Sequence, residues 1–428
     1  MLFINIGTLV QAHQTTPEIV KGKAMLQIPS ISYAWLRIQD GLIHSFGTVD
    51  TLESTLDTFP NEEIIDLNGA LVMPTWVDCH THLVFAGSRD DEFQWRLQGK
   101  GYEEIANEGG GILNSAKKLQ QATEEELYKS AEKRFSQLVS LGTGAFEMKS
   151  GYGLTTEAEL KILRVVRRLK ENFPEVPIKA TFMGAHAVPK ESTKEAYLDL
   201  VCNEMIPQVA AEGLAEYCDV FCDRGFFTHA EANLVLQTAK KYGLKSRVHA
   251  NELGHTGGVN AAIENNALSA DHLEHLNEDE IENLKYSKVM PVFLPGTSFF
   301  LGIPYGPAWE LIEKDMPFAL ASDYNPGSCP SGNMNLLASI ASTQMKLPIE
   351  AIVNATTINA AYALELENEV GCIAPGARAN FMVLEPGQAI SFIPYNFGMF
   401  KPAQVYIGGK KWPEVFEKKA EKFANMPL

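Results

Sequence analysis

From about residue 70 onward the chain repeats one unit, a short apolar run followed by a polar-faced stretch that opens with a helix start signal. The runs Ala145–Lys149, Lys179–Met183, Tyr217–Cys222, Lys245–Ala250, Val289–Leu294 and Phe318–Ser322 read as strands, and with those near Val77 and Ala270 they make eight. Thr123, Thr156 and Thr228 are each followed three residues later by a glutamate (Glu126, Glu159, Glu231), the spacing of a capping box. Strands separated by helices must run parallel, and eight such units favour a closed TIM-like (β/α)8 barrel. The barrel is expected over 69–369. Residues 1–68 and 370–428 carry short alternating strands and turns instead, and are expected to join in one small composite β-sandwich-like domain formed from both chain ends.

Composition narrows the classes. With 428 residues, 45% hydrophobic and 21% charged, the chain can bury a large core, so disorder is not expected. A net charge of −17 without a basic cluster argues against nucleic acid and anionic membrane as partners. Six cysteines at scattered positions form no disulfide scaffold and read as reduced, mostly buried thiols; Cys218 and Cys222 fall inside one strand-like run, where packing is their expected use. The opening Met1-Leu-Phe-Ile-Asn-Ile has no basic start and no long apolar core, so neither an export signal nor a membrane anchor is expected, and a cytoplasmic protein is.

The chemistry-bearing residues gather at strand ends. In Pro74-Thr-Trp-Val-Asp-Cys-His-Thr-His-Leu83, His80 and His82 stand two apart, so on a strand both imidazoles leave the same face and can reach one ion. His186, His249 and His272 also follow β-like runs, and Asp323 ends a small apolar run before a Pro-Gly turn. In a barrel the carboxyl ends of all strands converge on one mouth, which makes His80, His82, His249 and Asp323 a candidate first shell for zinc or iron. Such an ion can lower the pKa of a bound water from about 15.7 to about 7. Each residue also has a plainer use: Asp323 as a helix cap, Arg89 in a surface pair with Asp90, Asp91 or Glu92, and His186 as a strand end.

Five segments together carry a resemblance: Asp78-Cys-His-Thr-His-Leu-Val-Phe-Ala-Gly-Ser-Arg89, Lys149-Ser-Gly-Tyr-Gly-Leu154, Gly184-Ala-His-Ala-Val-Pro189, His249-Ala-Asn-Glu252 and Ser322-Asp-Tyr-Asn-Pro-Gly-Ser328. Through them the chain resembles the amidohydrolase superfamily and, within it and essentially end to end, the imidazolonepropionase family. The resemblance implies metal-dependent hydrolysis of the cyclic amide C–N bond of 4-imidazolone-5-propanoate to N-formimidoyl-L-glutamate. It also implies a homodimer, the metal ligands His80, His82, His249 and Asp323, and substrate contacts from Arg89, Tyr152, His186, Glu252, Asn325, Gly327 and Ser328. An arginine fork suits the substrate's carboxylate, and Tyr, His and Glu suit its ring. The expected mechanism sets a metal-activated water against the ring carbonyl carbon. His272 steadies the oxygen, and Glu252 or Asp323 carries the proton to the departing nitrogen.

In relatives with two metals a carboxylated lysine on the fourth strand bridges them. Here the fourth run has no lysine; Lys149 is on the second, so one divalent or trivalent metal per chain is expected, with Lys149 and Glu147 as a buried ion pair beside it. The loop Asn107-Glu-Gly-Gly-Gly-Ile112 is either a lid or a plain connection. Rival readings are a deaminase or another cyclic-amide hydrolase on the same barrel, and a non-catalytic scaffold of hydantoinase-like fold. Arg89 and Tyr152 discriminate against a neutral nucleobase, and intact metal ligands against the scaffold.

Overall fold

A computed structural model describes residues 1–53, 62–99 and 110–412. Among these residues no helix is long and apolar enough to cross a membrane.

The chain starts in a sheet of its two ends. Its strands are β1 (Leu2–Val10), β2 (Ser30–Gln39), β3 (Leu42–Thr48), β4 (Ile64–Asp66) and β5 (Leu71–Pro74). Asp40 and Gly41, both at positive φ (52° and 78°), make the two-residue turn that the twist of β2 and β3 favours. Thr75 alone separates β5 from the second sheet, β6 (Trp76–Asp78), β7 (Thr143–Lys149), β8 (Ile178–Ala185), β9 (Tyr217–Cys222), β10 (Lys245–Ala250), β11 (Ser269–His272), β12 (Met290–Phe293) and β13 (Ala319–Leu320). These eight run parallel in chain order. The last three strands, β14 (Phe381–Val383), β15 (Gln404–Ile407) and β16 (Lys410–Trp412), return to the first sheet, where β14 pairs antiparallel with β5. The Gly408-Gly409 turn between β15 and β16 repeats the two-residue, positive-φ solution.

The seam between β13 and β6 closes just beyond the strand ends. Thr81 bridges Tyr324 in parallel, His82 N donates to Tyr324 O (2.9 Å) and Asp323 N to His80 O (3.0 Å). Asp78 reinforces the seam by accepting from Ser322 N (3.0 Å) and Ser322 Oγ (2.5 Å). The residues that close the barrel are therefore neighbours of those expected to carry its chemistry.

Helices cover the barrel as their start signals require. Thr123 and Glu126 form a reciprocal capping box on Glu124–Ser140, and Thr228 and Glu231 another on His229–Lys241. Asn277 with Glu280 makes a third, so the acidic run after Asn277 is a helix start. The Thr156/Glu159 pairing does not form. Thr155 caps this helix instead, accepting from Ala158 N, and the fully buried Glu159 turns inward. Its carboxylate accepts from Gly151 N (2.8 Å), Gly153 N (2.7 Å) and Leu154 N (2.8 Å), three donors that a reciprocal capping box would leave without it. The first sheet packs Phe3, Ile6, Leu36, Ile38, Phe381 and Tyr406 against Ile358 and Ile373. Phe381 stacks on Tyr406 at 4.7 Å, and both meet Phe3 edge-on.

Candidate active site

Every strand of the barrel points its carboxyl end at one cavity of about 580 Å³. His82, His249 and Asp323 line it, as do His272 and all seven residues expected to hold substrate: Arg89, Tyr152, His186, Glu252, Asn325, Gly327 and Ser328. His80 lies fully buried behind them, its ring 4.5 Å from that of His249 and 5.6 Å from those of His82 and His272.

Three imidazoles are turned by what their Nδ1 atoms touch. His80 Nδ1 lies 2.7 Å from Asp271 Oδ2, His249 Nδ1 3.0 Å from Asp219 Oδ2, and His82 Nδ1 3.3 Å from the Ser150 carbonyl. Asp271 and the Ser150 carbonyl draw the ring protons of His80 and His82 to Nδ1 and leave Nε2 with its lone pair toward the centre, whereas Asp219 faces His249 Nδ1 as a neighbouring charge, out of hydrogen-bond alignment. His80 Nε2 and His249 Nε2 are buried with no hydrogen-bond partner among the described residues. Asp323 Oδ1 sits 3.5 Å from His80 Nε2 and 3.8 Å from His82 Nε2, while Oδ2 accepts from Thr297 Oγ1 (2.6 Å) and Ser328 Oγ (3.2 Å). Bare buried acceptors converging on one point are costly unless something electropositive fills it, and this donor set fits a metal ion.

The ligating atoms fall into two overlapping groups, His80 with His82 and Asp323, and His80 with His249 and His272, each within 4.8 Å of one another. His272 thus stands within reach of the ligand set as well as of substrate. It is held in strain, at φ 83°, with Leu273, Asn251 and Asp323 also at positive φ around the mouth. Its Nδ1 is 3.8 Å from Glu252 and 3.7 Å from Glu274. Burial alone would depress this imidazole, but the two carboxylates outweigh it and push it up to about 10. Burial pushes Glu252 up to about 7, although His272 pulls the other way.

The substrate end is built from three loops. Tyr152, His186 and His82 form a triangle of rings, the His186 ring stacked on His82 at 5.2 Å and Tyr152 edge-on to both, and His186 Nδ1 donates to Gly151 O (2.9 Å). Burial drives His186 down to about 3, so it is neutral. Arg89 is buried, with Nε on Ser115 Oγ (2.8 Å), the guanidinium 5.7 Å from the Tyr152 ring centre and Nη2 without a partner among the described residues. Gly327 makes room for it, because a Cβ there would overlap the guanidinium. Asn325 differs from expectation in detail: Oδ1 accepts from Gly327 N and Ser328 N, and Nδ2 donates to Asp323 O and Ser328 Oγ. Both ends of this amide shape the loop that presents Asp323.

Sequence reasoning found Lys149 and Glu147 as a buried pair (2.7 Å) but not what else they touch. Asp219, Asp271, Arg247 and Glu274 were missed. Each is a charged residue in or just after a buried strand, and Arg247 precedes His249 by two, on the same inward face. His255 and His275 lie apart from the cavity lining; His255 pairs with Glu280 at 2.9 Å. Of the loop expected over 107–112, residues 107–109 lie outside the described residues, while Gly111 and Ile112 line the cavity.

The model of the amidohydrolase family matches residues 71–411. The chain is 48% identical to the imidazolonepropionase of Christiangramia forsetii over 412 residues, covering 96% of this chain and 99% of that one. It is 40% identical to the imidazolonepropionase of Thermoanaerobacter pseudethanolicus over 93% of this chain and 94% of that one. Among solved structures, guanine deaminase from E. coli superposes with a TM-score of 0.72 at 15% identity (96% and 98% of the two chains), a likeness of fold. The 5-methylcytosine deaminase of Klebsiella pneumoniae gives 0.69 at 17% (95% and 97%). The chain belongs to the imidazolonepropionase family of the amidohydrolases.

Proposed function

We propose that the chain hydrolyses the cyclic amide C–N bond of 4-imidazolone-5-propanoate, giving N-formimidoyl-L-glutamate. One observation carries the reading beyond family membership: a single cavity pairs bare, converging imidazole nitrogens with a buried arginine whose Nη2 has no partner among the described residues. A hydrolytic centre beside an anion hold suits a ring that bears a carboxylate arm and gives a neutral nucleobase nothing to pair with.

His80, His82, His249 and Asp323 would hold the ion, one per chain, and imidazole with carboxylate accepts zinc or iron. When bound, it supplies Lewis acidity that polarises the ring carbonyl and acidifies water at neutral pH. The remaining steps belong to side chains. Arg89 and Tyr152 hold the propanoate arm, His186 and the loop shaped by Asn325, Gly327 and Ser328 bound the ring, and His272 steadies its oxygen as that atom gains negative charge. Glu252, mostly buried and pushed up to about 7, exchanges a proton near neutral pH. It takes one as water adds to the carbonyl carbon, and its carboxyl returns it to the ring nitrogen as the C–N bond breaks. Asp323 is less suited to that transfer, since Thr297 and Ser328 already occupy its Oδ2.

Within this reading the hydrolytic unit expected over 69–369 starts with β6 at Trp76, since β5 (Leu71–Pro74) pairs with β1 and β14 in the composite sheet of the chain ends. The assembly is a homodimer by family resemblance, and the six buried free thiols suit the reducing cytoplasm. The test is the ultraviolet absorbance of freshly generated 4-imidazolone-5-propanoate on adding protein, chelator-treated protein or the His249→Ala variant. Fast decay with untreated protein only is expected. No decay with metal-loaded protein overturns the substrate and turns the search to other cyclic amides and amidines.

A further inference from the structure

We propose that Lys149 is a positioning residue that sets two metal-facing imidazoles, His80 and His249, at once. It stands at the end of β7, fully buried, where Glu147 shares its inward face. Its Nζ lies 2.7 Å from Glu147 Oε1, 2.8 Å from Asp219 Oδ2 and 3.6 Å from Asp271 Oδ2. Those two aspartate oxygens are the ones that face His249 Nδ1 and His80 Nδ1.

One ammonium thus holds the carboxylate that faces His249, between β9 and β10, by a hydrogen bond, and the one that faces His80, between β11 and the segment after β6, by its charge. The aspartates have little freedom apart from it. Asp219 Oδ1 is held by Val220 N (2.7 Å) and His249 N (3.1 Å). Asp271 Oδ2 also meets Arg247 Nη2 at 3.2 Å, and Arg247 is pinned in turn to the carbonyls of Cys79 (2.8 Å) and Ala363 (2.9 Å). The ammonium, a compact charge on a flexible stem, donates to Glu147 and Asp219 and faces Asp271 as an ion pair at 3.6 Å. Outer partners of this kind fix ring orientation and tautomer, and their loss typically costs about 10- to 100-fold in metal affinity.

The plainer use of Lys149 is to neutralise Glu147, and the two uses separate in a charge-balanced variant. The proposal rests on the metal ligands given above, so the probe is the metal alone: Co(II) is titrated into metal-free full-length protein against a chromophoric chelator, and its visible absorption recorded. The Glu147→Gln/Lys149→Met double variant is expected to regain in urea denaturation most of the stability lost by Lys149→Met, yet to bind Co(II) about 10- to 100-fold more weakly than the unsubstituted protein and with a changed spectrum. Unchanged affinity and spectrum in a folded double variant overturn the proposal. Should neither Lys149 variant fold, the near-isosteric Asp219→Asn decides: it is expected to lose Co(II) affinity to a similar extent, and unchanged binding overturns the proposal as well. Failure of the unsubstituted protein to take up Co(II) overturns the ligand set itself, an outcome distinct from tight binding by the variants.

Discussion

The two sheets bury their interiors by opposite means. Between the chain-end strands lie Phe3, Ile6, Leu36 and Phe381, apolar side chains whose burial excludes water. Inside the barrel, just under its mouth, lie Glu147, Lys149, Asp219, Arg247 and Asp271, all with no exposure. Burying charge is expensive, and pairs of this kind seldom add stability over apolar residues of similar size. The first interior is explained by folding alone. The second is explained by what it faces, because two of its three carboxylates, Asp219 and Asp271, lie against His249 and His80.

That contrast can be broken by substitution. The largest effect is expected at the mouth: Glu252→Gln should bind Co(II) as tightly as before and keep its urea midpoint, while kcat falls by about 10²- to 10⁴-fold. Retained turnover removes Glu252 from the proton path. In the chain-end sheet, Leu36→Ala should cost about 2–5 kcal/mol in urea denaturation with metal affinity unmoved. A parallel loss of metal affinity would mean that the two interiors are not separable.

Gly327→Ala sharpens the boundary between loop and cavity. Its added Cβ would come within 2.8 Å of Arg89 Cζ, so the guanidinium must shift, with a penalty of about 1–3 kcal/mol that should appear in KM more than in the urea midpoint. An unchanged KM places Arg89 away from substrate. The smallest effect belongs to the helical coat, where Thr123→Ala removes a capping box at a cost of about 1 kcal/mol in stability and nothing in kinetics.

Much of this architecture can be read from the chain. Eight short apolar runs, with helix start signals in three of the intervals, point to the barrel, and histidines at the ends of several runs point to its mouth, where barrel geometry gathers strand ends. What stays hidden is whatever depends on partners from distant strands. Asp219 lies in Tyr217-Cys-Asp-Val-Phe-Cys222, and nothing local tells an inward carboxylate holding a histidine from a packing irregularity. Glu159 shows a different failure: its spacing from Thr156 satisfies the capping pattern, but the helix begins one residue earlier and a loop with three free N–H groups competes for the same carboxylate. Glu274 follows His272 by two residues, beyond the end of β11, and only the turn there brings it back to the ring.

Thr75, the single residue between β5 and β6, ties these two worlds together in time as well as in space. Met73 of β5 waits for Met382 of β14, and Thr81 waits for Tyr324, partners that leave the ribosome when most of the chain has already been made. The two histidines that open the site are among the first of the machinery to be synthesised and among the last to be seated. Until Tyr324 is made, the strand before them has β7 on one edge and nothing on the other, and long-range parallel pairing of this kind is slow and exposed to aggregation.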